Sequence, residues 1–146
     1  MDIIIDTNVF ISGIFWSGSP YKILKAWKNR KFVLVVSQDI LDEYDRVSKA
    51  LSKQYPKIDL SPFVELLTIN SKIYVPYKLK EKISRDSDDD KFIACALAAN
   101  VKFIISGDQD LLSICEYQGI NIIKPADFLK NIQIYLIKLT NLRRAL

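Results

Sequence analysis

The residues of this chain best suited to chemistry are acids that stand at the ends of apolar runs. Asp6 directly follows the run at residues 2–5, and Asp108 follows a second such run, with Gly107 permitting a tight turn between them. Asp90 closes an acidic triplet that opens another apolar segment. Each acid also has an ordinary structural role, because Asp is favoured in turns and at helix starts. Convergence of the acids would indicate a site.

The absence of histidine narrows the chemistry that these acids can perform. None occurs among the 146 residues, which removes Ser-His-Asp and Cys-His catalysis and histidine-ligated zinc. Carboxylates about 4 Å apart repel by about 4 kcal/mol at an effective dielectric near ~20, so a cluster needs protons or a cation. Hard oxygen ligands indicate Mg²⁺ or Mn²⁺, which activate water and polarise a phosphate.

Alternating apolar patterns predict an α/β fold with a parallel sheet covered by helices on both faces. Strands are expected at residues 2–5, 32–36, 72–75, 102–106 and 120–123. Helices are expected after Asn8 and at residues 21–29, 38–51, 63–71 and 88–100, with short ones near 111–112 and after Pro125. The tail stays open: a helix suits Ile132, Leu136, Leu139 and Leu146, and a strand suits Ile132, Ile134 and Leu136.

The predicted sheet gives the acids a common location, because ligands bind at the carboxyl ends of the strands in open α/β sheets. Asp6, Asp90 and Asp108 are therefore expected at one edge. Glu43 lies inside a helix, about 70° from the centre of the apolar stripe at roughly 100° per residue, nearer the core than the other acids of that helix. It either reaches a cleft beside the sheet or stays on a solvated face. The stripe consists of Ile40, Tyr44, Val47 and Leu51.

The basic residues are clustered, and the chain carries a formal charge of +4. A mildly basic balance favours a polyanionic partner. One cluster lies at residues 22–31 and another at residues 78–85, just before the acidic triplet. Each is either solvated surface or a track for phosphates. The candidates for phosphate contact are Lys22, Lys25, Lys28, Arg85 and Lys91.

Length and cysteine usage indicate a single domain from a reducing compartment. Cys95 and Cys115 form no metal or disulfide motif, and their apolar neighbours predict buried, reduced thiols in a cytoplasmic protein. The amino terminus lacks the basic start of a signal peptide, and no uncharged stretch is long enough for a membrane span.

Three segments resemble the PIN-domain family in their order and spacing. They read Ile-Ile-Ile-Asp-Thr-Asn-Val-Phe at residues 3–10, Asp-Lys-Phe-Ile-Ala-Cys-Ala-Leu-Ala at residues 90–98, and Ile-Ile-Ser-Gly-Asp-Gln-Asp-Leu-Leu at residues 104–112. The resemblance covers residues 1 to about 130. It implies a three-layer α/β/α sandwich with ribonuclease activity and a Mg²⁺ or Mn²⁺ site. The Asp-Asp-Lys-Phe stretch is similar to a prokaryotic branch of VapC-like toxins from toxin–antitoxin pairs.

The resemblance also implies roles for individual residues by position. The metal-binding and catalytic acids are Asp6, Glu43, Asp90 and Asp108. The supporting polar residues are Asn8, Ser106 and Asp110. Within the triplet at residues 88–90, Asp90 is preferred because the apolar register of the following helix starts from it.

These observations predict a metal-dependent endoribonuclease. Residues 1–131 would form the nuclease domain, and residues 132–146 an extension for core packing, dimerisation or partner contact. The expected partners are single-stranded or structured RNA, an antitoxin protein and a second copy of the chain in a homodimer. Two alternatives stay open: an α/β phosphoacceptor or phosphohydrolase domain with Asp6 as nucleophile, although Asn8 replaces a second acid, and a non-catalytic RNA-binding module.

Overall fold

A mostly parallel sheet of six strands forms the centre of the fold. The computed structural model describes residues 1–134, 137–138 and 140–146 in full. The strands are β1 (Asp2–Ile5), β2 (Val33–Val36), β3 (Lys72–Ile73), β4 (Phe103–Ile105), β5 (Glu116–Tyr117) and β6 (Ile120–Ile123). Their order is β3-β2-β1-β4-β6-β5, in which only β5 runs antiparallel to its neighbour. The chain passes from β1 to β2 on one side and returns to β4 on the other. The gap between β1 and β4 is therefore the topological switch point, where such sheets bind ligands.

The sheet is covered on both faces, as the uniformly apolar strands predict. Ile3, Ile4 and Ile5 are each at most 1% exposed, although successive side chains of a strand point to opposite faces. The same holds for the three buried residues that end β2. This burial confirms the three-layer α/β/α sandwich.

Helices alternate with these strands along the chain. They are α1 (Thr7–Phe15), α2 (Ser19–Lys28), α3 (Gln38–Gln54), α4 (Ser61–Asn70), a 3₁₀ turn (Ser87–Asp89), α5 (Asp90–Ala99), α6 (Gln109–Leu112) and α7 (Pro125–Ala145). Side-chain oxygens of Asp6, Ser37 and Asp108 accept main-chain N–H groups at the starts of α1, α3 and α6. Helix α5 packs on β2, β4 and β6, and α2 packs against α1 and α7. The helix starts after β1 and β4 thus lie beside the switch point.

The tail is helical, which decides between the two conformations that its sequence allowed. Helix α7 runs without interruption through residue 131, so no break in secondary structure marks the boundary expected there. Phe128 anchors its first half, with ring centroids 5.5 Å from Phe32 and 6.1 Å from Phe103. Beyond the buried Ile132, the apolar side chain of Ile137 is 60% exposed. Leu136 and Leu139, which entered the helix prediction, lie outside the fully described residues.

The structure adds to one expectation about a single residue and corrects another. Gly107 does not adopt a left-handed backbone conformation, and a Cβ added there would meet nothing within 4 Å. The turn between β4 and α6 therefore does not require glycine. Cys95 is buried and its burial raises the pKa of the thiol to about 12, but Cys115 is exposed because its left-handed backbone (φ 63°) lies in the turn before β5.

Within the described part of the chain, none of the helices combines the length and apolarity that crossing a membrane requires.

Candidate metal centre

Asp6 lies at the switch point and makes three hydrogen bonds. Its backbone N–H donates to the Ile105 carbonyl at 3.0 Å, which extends the pairing of β1 with β4. One carboxylate oxygen accepts the Val9 N–H at 2.9 Å, and the other accepts a short hydrogen bond from the Ser106 hydroxyl. With 4% of its surface exposed, Asp6 forms the inner wall of the site.

The environment of Asp6 disfavours its negative charge. Burial raises the pKa of the Asp6 carboxyl from its ordinary value of 3.8 to about 6, because the ionised group loses hydration. Hydrogen bonds from Ser106 and the Val9 amide act in the opposite direction, and the nearby carboxylates of Asp108 and Glu43 raise this pKa further. A cation beside Asp6 would relieve this repulsion.

Glu43 reaches the site from α3, where its side chain is 14% exposed beside the apolar stripe. The Thr7 hydroxyl donates to Oε2 of Glu43 at 2.6 Å. Two cations lie near Oε1: Lys91 Nζ at 3.5 Å and Arg46 Nη2 at 3.7 Å. Lys91, itself 15% exposed, also pairs with Asp88 at 3.2 Å. Glu43 is therefore held on both sides, by a hydroxyl and by an enclosed ammonium group.

A second set of carboxylates lies at the end of β4. Asp108 Oδ1 accepts the Asp110 N–H at 3.0 Å, and the Asp108 N–H donates to Ser106 Oγ at 3.0 Å. Asp89 joins them from the 3₁₀ turn before α5. One carboxylate oxygen from each of Asp89, Asp108 and Asp110 lies within 4.8 Å of the others. This spacing suits a cation with oxygen ligands.

Asp89 has the electrostatics expected of a cation ligand. Burial raises the pKa of its carboxyl from 3.8 to about 7, and the close approach of the Asp108 carboxyl and the charges of Asp86 and Glu43 raise this pKa too. Its Oδ2 atom is buried and has no hydrogen-bond partner among the described residues. A buried carboxylate oxygen without a partner costs free energy, which a bound cation would recover.

Asp90, which the sequence favours within the triplet, points elsewhere. Its Oδ1 accepts the Ser84 N–H at 2.7 Å and its Oδ2 accepts the Ile83 N–H at 3.0 Å. The structure thus brings Asp6, Glu43 and Asp108 together and adds Asp89 to them, whereas the Asp90 carboxylate faces the loop before α5. The physical reason is the 3₁₀ turn, which rotates the two adjacent acids toward different partners.

The supporting polar residues have different environments. Ser106 is fully buried and bridges Asp6 and Asp108 through its hydroxyl. Asp110 belongs to the carboxylate set and pairs with Arg85 Nε at 3.1 Å. Asn8 is exposed on the first turn of α1.

The candidate phosphate-contact residues divide into two groups. Arg85 and Lys91 each pair with an acid of the site. Lys22, Lys25 and Lys28 are exposed on α2, and no ion pair among the described residues joins them to the acids. Arg85 and Lys91 are therefore the two with a described link to the site.

Three residues of the site were missed or left undecided by sequence reasoning. Thr7 stands between two recognised residues, Asp6 and Asn8, but its contact with Glu43 depends on the packing of α1 against α3. Arg46 follows Glu43 by three positions, a spacing that places both on one helix face. Asp89 was visible within the triplet at residues 88–90, but the sequence contains no signal that distinguishes it from its neighbours.

Comparison with known proteins identifies the family of the chain. The family model described as the PIN domain matches residues 2–110 of the chain. That region contains all the acids of the site and ends within α6. A search of curated proteins finds no match.

Proposed function

The chain belongs to the PIN-domain family, and we propose that it is a ribonuclease that hydrolyses RNA phosphodiester bonds with a bound Mg²⁺ or Mn²⁺ ion. The family has a nuclease-type fold that is often metal-dependent, and this chain carries the corresponding acidic cluster. The proposal includes three finer points: the substrate is RNA and not DNA, cleavage is endonucleolytic, and the cation is Mg²⁺ or Mn²⁺. The basic balance of +4 supports a polyanionic substrate.

The observation that carries the proposal is the unpartnered Oδ2 atom of Asp89 among other carboxylates. It is buried, and Asp89 contributes one carboxylate oxygen, as Asp108 and Asp110 do, to a set whose oxygens lie within 4.8 Å of one another. The ligands available in this set are therefore hard carboxylate oxygens. Such a donor set fits Mg²⁺ or Mn²⁺. A cation held there would polarise the scissile phosphate and activate a water molecule.

The chain's own residues provide the surroundings for this chemistry. Asp89, Asp108 and Asp110 would hold the cation, and Asp6 and Glu43 would bind it as well or orient its waters. Thr7 and Lys91 fix the orientation of Glu43. Arg46 and Arg85, both 70% exposed, would meet the phosphates of an incoming strand.

The test is cleavage of single-stranded RNA by the purified chain with Mn²⁺, with Mg²⁺ or with excess EDTA. We expect cleavage only with a cation, leaving 5′-phosphate and 3′-hydroxyl ends. Asp6→Asn should lower the rate more than about 100-fold, because even residues that merely orient metal ligands contribute about 10–100-fold. Single-stranded DNA of the same sequence tests the preference for RNA.

The matched control is Asp45→Asn, which removes the same charge from α3. Asp45 is half-exposed, pairs with Lys49 at 2.7 Å and lies outside the carboxylate set. Its rate should stay within about twofold of the wild type, as expected for an exposed pair. Undiminished RNA cleavage in excess EDTA would disprove the proposal.

The biological role and the protein partners are further parts of the proposal. Similarity to the VapC-like branch supports a toxin role, with an antitoxin and a second copy of the chain as partners. Growth arrest on expression of the wild type, and normal growth with Asp6→Asn, would support the toxin role. Sedimentation equilibrium measures the homodimer directly.

A further inference from the structure

The Asp90 carboxylate makes a two-point contact with a single loop. Its two oxygens accept the N–H groups of the consecutive residues Ile83 and Ser84, at 3.0 and 2.7 Å. Hydrogen bonds to an ionised acceptor are among the stronger ones in proteins. Both oxygens of Asp90 thus have hydrogen-bond partners. Oδ2 of Asp89, in contrast, is buried without a hydrogen-bond partner among the described residues. The Asp90 carboxylate therefore faces the loop and not the other carboxylates.

The same loop is tied to the acids at its other end. Ser84 is 1% exposed, and its hydroxyl donates to the Asp110 carbonyl at 3.4 Å. The next residue, Arg85, places Nε 3.1 Å from Asp110 Oδ1. The loop therefore spans the distance from Asp90 to Asp110, and it delivers a guanidinium group to the edge of the carboxylate set.

We propose that Asp90 is a positioning residue and not a cation ligand: it clamps residues 83–85 so that Arg85 can bind a phosphate of the RNA beside the cluster. This inference rests on the proposed function for its substrate. Asp89 takes the ligand role that the motif assigns to Asp90. Within the acidic triplet, Asp89 thus binds the cation and Asp90 holds the loop.

Arg85 has the chemistry that this role requires. Its guanidinium presents several N–H donors in a planar fork that matches a phosphate. The ion pair with Asp110 holds it through Nε, and 70% of the side chain remains exposed. A strand whose scissile phosphate lies at the carboxylates would bring a neighbouring phosphate within reach.

The first experiment measures Mn²⁺ binding to the metal-free protein without RNA, by calorimetry or electron paramagnetic resonance. Asp89→Asn should weaken binding more than about tenfold, as expected for the loss of a ligand. Asp90→Asn should weaken it much less than Asp89→Asn does, because both Asp90 oxygens accept main-chain N–H groups of the loop. The matched control Asp45→Asn should leave it unchanged. If Asp90→Asn weakens Mn²⁺ binding as much as Asp89→Asn does, Asp90 is a ligand and the proposal is overturned.

The second experiment is a double-mutant cycle in RNA cleavage. Arg85→Ala and Asp90→Asn should each raise KM about tenfold with little change in kcat, because a charged hydrogen bond to the substrate is lost. The double variant should be no worse than either single one, since Asp90 acts through Arg85. If the KM of the double variant rose by the product of the two single effects, or if kcat alone fell, the result would contradict the clamp.

Hydrogen exchange tests the clamp in the wild type, even if Asp90→Asn fails to fold. The amides of Ile83 and Ser84 should be protected, and saturating Mg²⁺ should not accelerate their exchange. Acceleration by Mg²⁺ would mean that Asp90 leaves the loop for the cation, which would overturn the proposal. Failure of the wild type to cleave RNA would instead count against the proposed function, and the Mn²⁺ affinities would still decide between Asp89 and Asp90.

Discussion

At the scale of single residues, Asp6 shows how strongly the fold can disfavour the ionised form of one carboxylate. The side chain is buried, receives two hydrogen bonds and lies near other acids. A rise of its pKa from 3.8 to about 6 corresponds to about 3 kcal/mol that ionisation costs the folded state. The site therefore favours a bound cation, and it lowers the stability of the folded protein when no cation is bound.

This cost predicts a pH dependence of stability for Asp6→Asn. The folded wild type holds a proton on Asp6 more tightly than the unfolded chain does, so its unfolding free energy should fall as pH rises from about 4 to about 6. The variant lacks this group, so it should gain about 3 kcal/mol relative to the wild type between pH 4 and 7.5. Denaturant titrations in EDTA measure the difference.

Saturating Mg²⁺ provides the control for this experiment. It should stabilise the wild type at pH 7.5 more than the variant, because the cation compensates the Asp6 charge. Stability curves that run parallel at all pH values would show that Asp6 ionises in the folded state as easily as in the unfolded chain.

The placement of the acids was predictable to different degrees. Asp6 and Asp108 follow strands, and the end of a strand determines the edge where a side chain lies. Glu43 could be placed by helix rotation alone. Asp89 and Asp90 could not be distinguished, because neighbouring residues at a helix start differ by about 100° and the sequence does not give the orientation of the first turn.

At the scale of elements, the contact between α1 and α2 depends on a close approach at Gly13. A Cβ at this position would lie 2.8 Å from the Pro20 carbonyl oxygen and 2.5 Å from Cδ1 of the Leu24 side chain. The backbone oxygen cannot rotate away as a side chain could. Helix α1 also carries Asp6 at its start and Thr7 in its first turn, so this packing supports the site.

Gly13→Ala should therefore destabilise the protein. Overpacking costs about 1–3 kcal/mol. The better helix propensity of alanine returns up to about 1 kcal/mol, which leaves a net loss of roughly 1–2 kcal/mol. Gly107→Ala is the matched control, because its Cβ would meet nothing within 4 Å. Thermal unfolding of the two variants should show a lower Tm for Gly13→Ala alone; equal Tm values would argue against the close approach.

Elements with strong apolar patterns were predicted within a few residues, and weak ones were not. Strand β6 was predicted at its observed residues because it is apolar and bounded by turn residues. Strand β5 has two residues and no pattern of its own, so only its antiparallel pairing with β6 defines it. The tail was ambiguous since isoleucines at alternate positions suit a strand, and the packing of Phe128 in the core determines the helix.

At the scale of the whole molecule, the charges form an acidic centre with a basic border. The net charge is +4, yet the acids converge at one sheet edge. Lys91, Arg46 and Arg85 each lie within 4 Å of one of them. This arrangement attracts a polyanion to the border and a cation to the centre. It followed from the sequence only in outline, because the sequence gives the clusters but not their distances.

RNA affinity should therefore fall as ionic strength rises. The Asp6→Asn variant allows this affinity to be measured without cleavage of the RNA. For single strands, the slope of log affinity against log salt is about −0.7 for each neutralised phosphate. Adding Arg85→Ala should make this slope shallower by about 0.7, and adding Lys49→Ala, on the outer face of α3, should not. Fluorescence anisotropy across a salt series measures both. An unchanged slope for Arg85→Ala would exclude its phosphate contact.

The pairing of Asp6 with Ile105 has a further consequence for how the molecule opens. Because the Asp6 amide is part of the central ladder, it can exchange with solvent only when β1 and β4 separate, which approaches global unfolding. The loop at residues 83–85 is held by the Asp90 carboxylate and the Asp110 carbonyl, outside the sheet, and can detach at a much lower free energy. The central ladder at Asp6 is therefore expected to stay paired when the loop at residues 83–85 detaches, so substrate exchange can proceed by opening the clamp while the sheet stays folded.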